Sequence, residues 1–343
     1  MQTMSTIGIL ILLFLAGLEI DLETMRRMGF AAFLVAVMGV LVPLGVGTAV
    51  FALMGEGLTS AFFVGSIMTA TSIGLTLRTL MDLGRFRSKE GVTIVTAAVI
   101  DDVIGIFILT LLVSLVGVEN TLTPFYVLRL LGLMIFFFGA VIIVGMWGSK
   151  WVTRWVSEMW VDEALLALSL CFAIALGWLA STVKVAEITG AFVAGLVLNP
   201  TKEAKVVSEK VNLIGYGFFI PIFFAYLGVN TRLAALSEAG ILTLLFLLIA
   251  VAGKIAGCGL AARPWFDSRR SLAIGVGMIP RAEVALIMAS IGLQAGAIGD
   301  DIFAMTVAMV FITNLITPLL LKASFRLAEE RKVRGEEAEE TST

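Results

Sequence analysis

Five charged side chains stand inside long apolar runs: Asp101 and Asp102 in AAVIDDVIG (97–105), Lys254 in AVAGKIAGCG (250–259), and Arg281 and Glu283 in MIPRAEVALI (278–287). A charge at the centre of a bilayer costs at least about 2.5–3.5 kcal/mol on insertion scales, so each needs a partner or a task. The two aspartates lie about twelve residues into their run, roughly 18 Å at 1.5 Å per residue. Helical neighbours point about 100° apart; one carboxylate can then face an ion cavity while the other meets a different helix. The plainer alternative is a structural ion pair, or a position near a re-entrant loop. Lys254 can snorkel to the interface, although Gly253, Gly257 and Gly259 around it favour close helix packing and an inward-facing ammonium. Arg281 and Glu283, two residues apart, do not share a helix face and are expected to have different partners. For Arg281 a structural tether and an ion contact both stay open, and Glu283 is a candidate ion or proton group. If all are ionised, three acids and two bases leave the set one positive charge short. One monovalent cation or one proton fills that deficit equally well.

The elements that must hold these residues follow from composition. Of the 343 residues 59% are apolar and 15% charged, against roughly 45–50% and about 25% in soluble domains, which excludes an ordinary soluble enzyme. No histidine is present, so histidine acid–base chemistry and histidine-ligated metals are excluded. Cys171 and Cys258 lie in different apolar segments and suit neither a disulfide framework nor a metal site. A net charge of −2 gives no reason to expect a nucleic-acid partner. The expected fold is an all-α polytopic membrane protein with apolar segments at 4–20, 29–54, 58–80, 90–118, 124–149, 163–183, 186–199, 211–229, 234–262, 271–296 and 301–326. Segment 186–199 is short for a crossing, and 327–343 reads as a charged, solvated tail.

Charge tests the count. Lys and Arg accumulate in cytoplasmic loops. Alternating the loops between two sides places eighteen of the 24 basic residues on one side and only Arg129, Lys184 and Arg232 on the other, while Arg78, Lys254 and Arg281 fall within segments. The C-terminus is therefore expected to be cytoplasmic. The same alternation gives the triplets 29–118 and 234–326 opposite orientations, and each has a middle member interrupted by small, polar or Pro residues: Thr69–Ser72 with Gly74, and Gly277–Pro280. Inverted repeats with interrupted helices at matching positions point to a transporter's ion site near the bilayer midplane, although Gly and Pro are also common in ordinary spanning helices. Pro280 removes a backbone donor, tolerable at that depth only beside protein, water or an ion.

The ordered motifs FLAGLEID (14–21), TATSIGLT (69–76), AAVIDDVIG (97–105), ITGAFVAGLVL (188–198), IPIFFAYLGV (220–229), GKIAG (253–257) and MIPRAEVALI (278–287) resemble the monovalent cation:proton antiporter-2 family of sodium/proton exchangers along essentially the whole chain. The resemblance implies two interrupted helices crossing beside the ion site, with a core bundle (29–118 and 234–326) sliding against a dimerising panel with linker helices (1–28 and 119–233). It makes Asp102 the cation- and proton-binding carboxylate, Asp101 the partner of Lys254, Thr71 and Ser72 ligands or backbone donors at the break, and Glu283 an auxiliary acid. Sodium is then expected at Asp102, Asp101, Thr71 and Ser72, with Lys254 and Arg281 as charge partners. The family usually has thirteen helices and this chain is expected to start at the third, the pattern of an N-terminal truncation or a misassigned start. Ala282 stands where relatives often have Gly.

The reading is a transporter rather than an enzyme, with no cofactor: a homodimeric, multi-pass protein of the cell membrane that exchanges Na⁺ for H⁺ at a midplane aspartate. By resemblance, Lys254 implies electrogenic exchange. Potassium/proton exchange is the alternative within the class, since ligand types do not separate Na⁺ from K⁺ or Li⁺. A passive cation channel is a more remote reading. So is an intramembrane aspartyl protease, which needs two carboxylates converging from separate helices, whereas adjacent residues diverge.

Overall fold

The structure is a computed structural model. It describes residues 2–115, 163–229 apart from 184 and 186, and 240–340 apart from 282; of 129–145 it describes 129, 132–133, 136–141, 143 and 145. Every regular element among the described residues is helical. The chain divides into two compact units, residues 1–22 with 119–231 and residues 23–118 with 232–343.

The first unit contains α1 (Gln2–Glu19), α6 (Ala164–Thr182), α7 (Glu187–Leu198), α8 (Ala204–Ile214) and α9 (Ile220–Val229). Its helices are joined by close backbone contact. A Cβ on Gly17 would fall 2.1 Å from the Phe192 carbonyl oxygen, and one on Gly195 would fall 2.2 Å from that of Phe14, so only glycines let α1 and α7 approach this way. Asn199 closes the end of α1: its Nδ2 donates to the carbonyls of Gly17, Leu18 and Ile20 at 2.7–3.2 Å, acceptors that a helix C-terminus leaves without intrahelical partners. Glu19 accepts from Ser208 Oγ at 2.7 Å and Asn212 Nδ2 at 3.1 Å on α8. Between α8 and α9 the helix widens into a π turn at Gly215–Phe219. Pro221 follows it; proline lacks an N–H and crowds the carbonyl four residues back, here Gly217 inside the π turn.

The second unit contains α2 (Leu22–Leu53), α3 (Leu58–Ile67), α4 (Ile73–Asp82), α5 (Lys89–Leu115), α10 (Ile241–Ala262), α11 (Ser268–Gly277), α12 (Glu283–Gln294) and α13 (Asp300–Glu340). Leu22 itself falls at the boundary between the units. One core runs through α2, α3, α5, α10, α12 and α13, with Phe51 meeting Phe246 edge-on and Phe63, Met68, Met288 and Met309 buried around them. Large apolar side chains such as Phe30, Leu53, Leu248, Leu315 and Leu319 are exposed, as a lipid-facing surface requires.

Six helices among the described residues are long and apolar enough to cross a membrane: Leu22–Leu53, Lys89–Leu109, Ala164–Thr182, Ala204–Phe223, Ile241–Ala262 and Asp300–Ala328. Four further apolar helices are shorter, including Glu187–Leu198 at the segment read as short. Segment 124–149 lies for the most part outside the described residues. Several boundaries differ from the expectation. Helix α2 begins at Leu22 rather than 29, taking in Arg26 and Arg27, because Glu23 and Arg27 pair one turn apart and carry the helix past its apolar stripe. Helix α13 likewise continues from the apolar run through the charged tail to Glu340. Segments 58–80 and 271–296 are each two helices, split at 68–72 and 278–282.

Candidate ion site

The two interruptions meet. The Ser72 amide donates to the Pro280 carbonyl at 2.8 Å, and Thr76 Oγ1, one turn into α4, donates to the Gly277 carbonyl at 2.7 Å. Each break ends one half-helix and begins another, so two helix N-termini (α4, α12) and two C-termini (α3, α11) open onto this region. Helix termini leave backbone groups unpaired, and those of the second break are taken up by side chains from elsewhere.

Arg281 is at the centre of these contacts. It is fully buried. Its guanidinium donates to the Met278 carbonyl, at the frayed end of α11, and to the Ala250 carbonyl on α10, both at 3.2 Å. Its own main chain is held by two consecutive residues of α13: its amide donates to Thr313 Oγ1 at 3.3 Å and its carbonyl accepts from Asn314 Nδ2 at 2.9 Å. Its Nε and the Oδ1 of Asn314 are buried without a partner. Of the two roles left open for Arg281, the geometry is that of a tether: a cation set against carbonyls at the negative end of a half-helix.

Ala250 lies one turn before Lys254, whose Nζ donates to Asp101 Oδ1 at 3.0 Å. That pair joins α10 to α5 with 0% and 2% of the two side chains exposed, so Lys254 does not reach the interface. Room for it comes from α2. A Cβ on Gly39 would sit 2.5 Å from Cys258 Sγ and 3.4 Å from Lys254 Nζ. Buried opposite charges are tolerated when paired and hydrogen-bonded. Asp101 thus has its charge matched.

The other sequence-derived residues are placed differently. Asp102 is half-buried beside the closed pair. Thr71 is buried in the first break, and its Oγ1 has no hydrogen-bond partner. Ser72 is half-buried and precedes α4 in extended conformation without capping it. Glu283 begins α12, where the helix N-terminus favours a carboxylate; its side chain, like Ala282, lies outside the described residues. Thr76, Thr313, Asn314 and Gly39 were not identified from sequence. A Thr, Asn or Gly in an apolar helix is commonplace, and the partners here lie between about 30 and 200 residues away.

The fold is that of a multi-pass membrane protein with a buried charge pair and two touching helix breaks, the setting of an ion transporter rather than of an enzyme. Residues 1–326 match the transmembrane sodium/hydrogen exchanger family, and the chain belongs to that family. It is 33% identical over 323 residues to the Na⁺/H⁺-K⁺ antiporter GerN of Bacillus cereus, covering 94% of this chain and 82% of that protein. It is 35% identical over 340 residues to the high-affinity Na⁺/H⁺ antiporter NhaS3 of Synechocystis sp., covering 96% and 73%. The solved sodium proton antiporter MjNhaP1 of Methanocaldococcus jannaschii superposes with a TM-score of 0.71 over 97% of this chain and 84% of that one. At 18% identity, that likeness shows the shared fold.

Proposed function

We propose that this protein exchanges sodium ions for protons across the cell membrane by alternating access, with cation and proton competing for Asp102. The observation that carries this reading is the inequality of two adjacent carboxylates: Asp101 is closed off by Lys254, while Asp102 stays half-buried beside it. A carboxylate that binds Na⁺ must release its proton, and one that takes a proton must release Na⁺. This mutual exclusion couples the two fluxes. Thr71 and Ser72 supply oxygen to the cation, and the unpartnered hydroxyl of Thr71 supports this. Lys254 and Arg281 hold fixed positive charge nearby, and Glu283 acts as an auxiliary acid at the start of α12. Loss of the Asp101–Lys254 contact when cation binds would free a second proton, the basis of an electrogenic cycle.

In this reading the unit containing the breaks is the moving core and the other unit is the panel of a homodimer. Of the eleven segments, the triplets at 29–118 and 234–326 form inverted repeats, and the C-terminus lies in the cytoplasm. The name of the GerN relative includes potassium, and hard oxygen ligands do not by themselves reject K⁺, so K⁺ is the competing cargo.

The test is flux in proteoliposomes carrying the full chain. An imposed Na⁺ gradient should drive protons the opposite way, and Asp102→Asn should abolish this. If no protons move, or if Asp102→Asn exchanges like the parent, the reading fails.

A further inference from the structure

The polar residues of α13 are unexplained by any of this. Helix α13 is the only described element of its unit beyond 299, and it contributes no acid or base to the site. Yet two consecutive residues, Thr313 and Asn314, bind both main-chain groups of one residue, Arg281. A hydrogen-bonded hydroxyl and an amide used this way fix a peptide in place and orientation.

The Thr313 hydroxyl is itself held, donating to the Met309 carbonyl at 2.8 Å, which aims its lone pairs outward from the helix. The two contacts hold the peptides on either side of Arg281: Thr313 takes the N–H of the one that joins Pro280 to Arg281, and Asn314 the carbonyl of the next; the Pro280 carbonyl, in the first of them, receives the Ser72 amide. Ser72 follows Thr71, whose hydroxyl is unpartnered. An unbroken series of short contacts therefore runs from α13 through the second break into the first, and ends at the oxygen proposed as a cation ligand.

We infer that Thr313 and Asn314 are positioning residues for ion binding: by holding the two peptides that flank Arg281 they set the Pro280 carbonyl, the Ser72 amide and so the placement of Thr71. The inference rests on the exchange reading for its transport consequence, but its structural part does not. Removing either side chain loosens the break while leaving Asp102, the charge pair and the guanidinium contacts in place. The effect should therefore fall on cation affinity more than on turnover.

Two measurements on the full chain test it. In proteoliposomes, Thr313→Val and Asn314→Ala should raise the KM for Na⁺ by about fivefold or more, the scale of one buried hydrogen bond, with kcat within about twofold. Thr313→Ser, which keeps the hydroxyl, should match the parent. In parallel, hydrogen exchange of the peptide 69–76, to which the hydrogen bonds of Thr313 and Asn314 do not run, should quicken in Thr313→Val and Asn314→Ala but not in Thr313→Ser. Unchanged exchange at 69–76 overturns the inference, and so does an unchanged KM in a parent that transports. A parent that moves no protons overturns the exchange reading and leaves the hydrogen-exchange result to decide the positioning role.

Discussion

The second unit holds two copies of the same chemical situation and finishes them differently. Thr313, beside the second break, donates to Met309 and accepts from Arg281; Thr71, in the first break, is also buried, and its hydroxyl has no hydrogen-bond partner. Asp101 is locked to Lys254, and Asp102, the next residue, is left half-buried. Around the second break, charge and main chain are tied to fixed protein partners. In the first, the Thr71 hydroxyl is held by a scaffold that does not itself use it. A bilayer interior makes an unpaired polar group expensive; at the second break the unpaired Arg281 Nε and Asn314 Oδ1 belong to side chains anchored through their other atoms, whereas the Thr71 hydroxyl has no such anchor. The difference separates the residues that hold the site from those that use it.

Substitutions can break this division. The largest effect should come from Lys254→Ala, which leaves Asp101 buried without its cation; removal of one partner of a buried pair costs about 3–5 kcal/mol. Thermal unfolding in lipid nanodiscs should show that loss, and Asp101→Asn on top of Lys254→Ala should recover much of it. Additive losses would mean the pair is not the unit described here. Arg281→Met should follow, because the Met278 carbonyl at the end of α11 loses its guanidinium donor, at about 1–3 kcal/mol for a buried group left unsatisfied, while the Ala250 carbonyl keeps its place in the α10 helix ladder. It should lower the unfolding temperature, whatever it does to transport.

Thr71→Val belongs to the other class. No protein hydrogen bond is lost, so stability should change by less than about 0.5 kcal/mol, while the KM for Na⁺ rises. A Thr71→Val protein that unfolds as readily as Arg281→Met would erase the distinction between the two breaks.

Sequence reading located both interruptions because Gly, Pro and clustered hydroxyls inside an apolar run have local meaning. It singled out the five charges within apolar runs because their cost is a property of the residue and its depth. It left the role of Arg281 undecided, since a guanidinium bonded to main-chain carbonyls has no partner visible as a charge. Thr76, Thr313 and Asn314 were illegible for a related reason: polar residues in membrane helices often bond within their own turn, and only the fold shows that these also reach across. Helix ends were misjudged where charge was taken as the edge of a helix. The Glu23–Arg27 pair and the tail of α13 show instead that charge ends the apolar stripe while the helix goes on.

The central claim is that cation and proton compete for Asp102, with the Asp101–Lys254 pair beside it responding to that exchange. Na⁺-driven proton flux in proteoliposomes, measured across a range of pH for the parent and for Asp102→Asn, tests it most directly. The parent should show a KM for Na⁺ that rises as pH falls, because protons occupy the same carboxylate, and Asp102→Asn should show no flux at any pH. Coupled flux surviving in Asp102→Asn, or a parent KM indifferent to pH, would contradict the account.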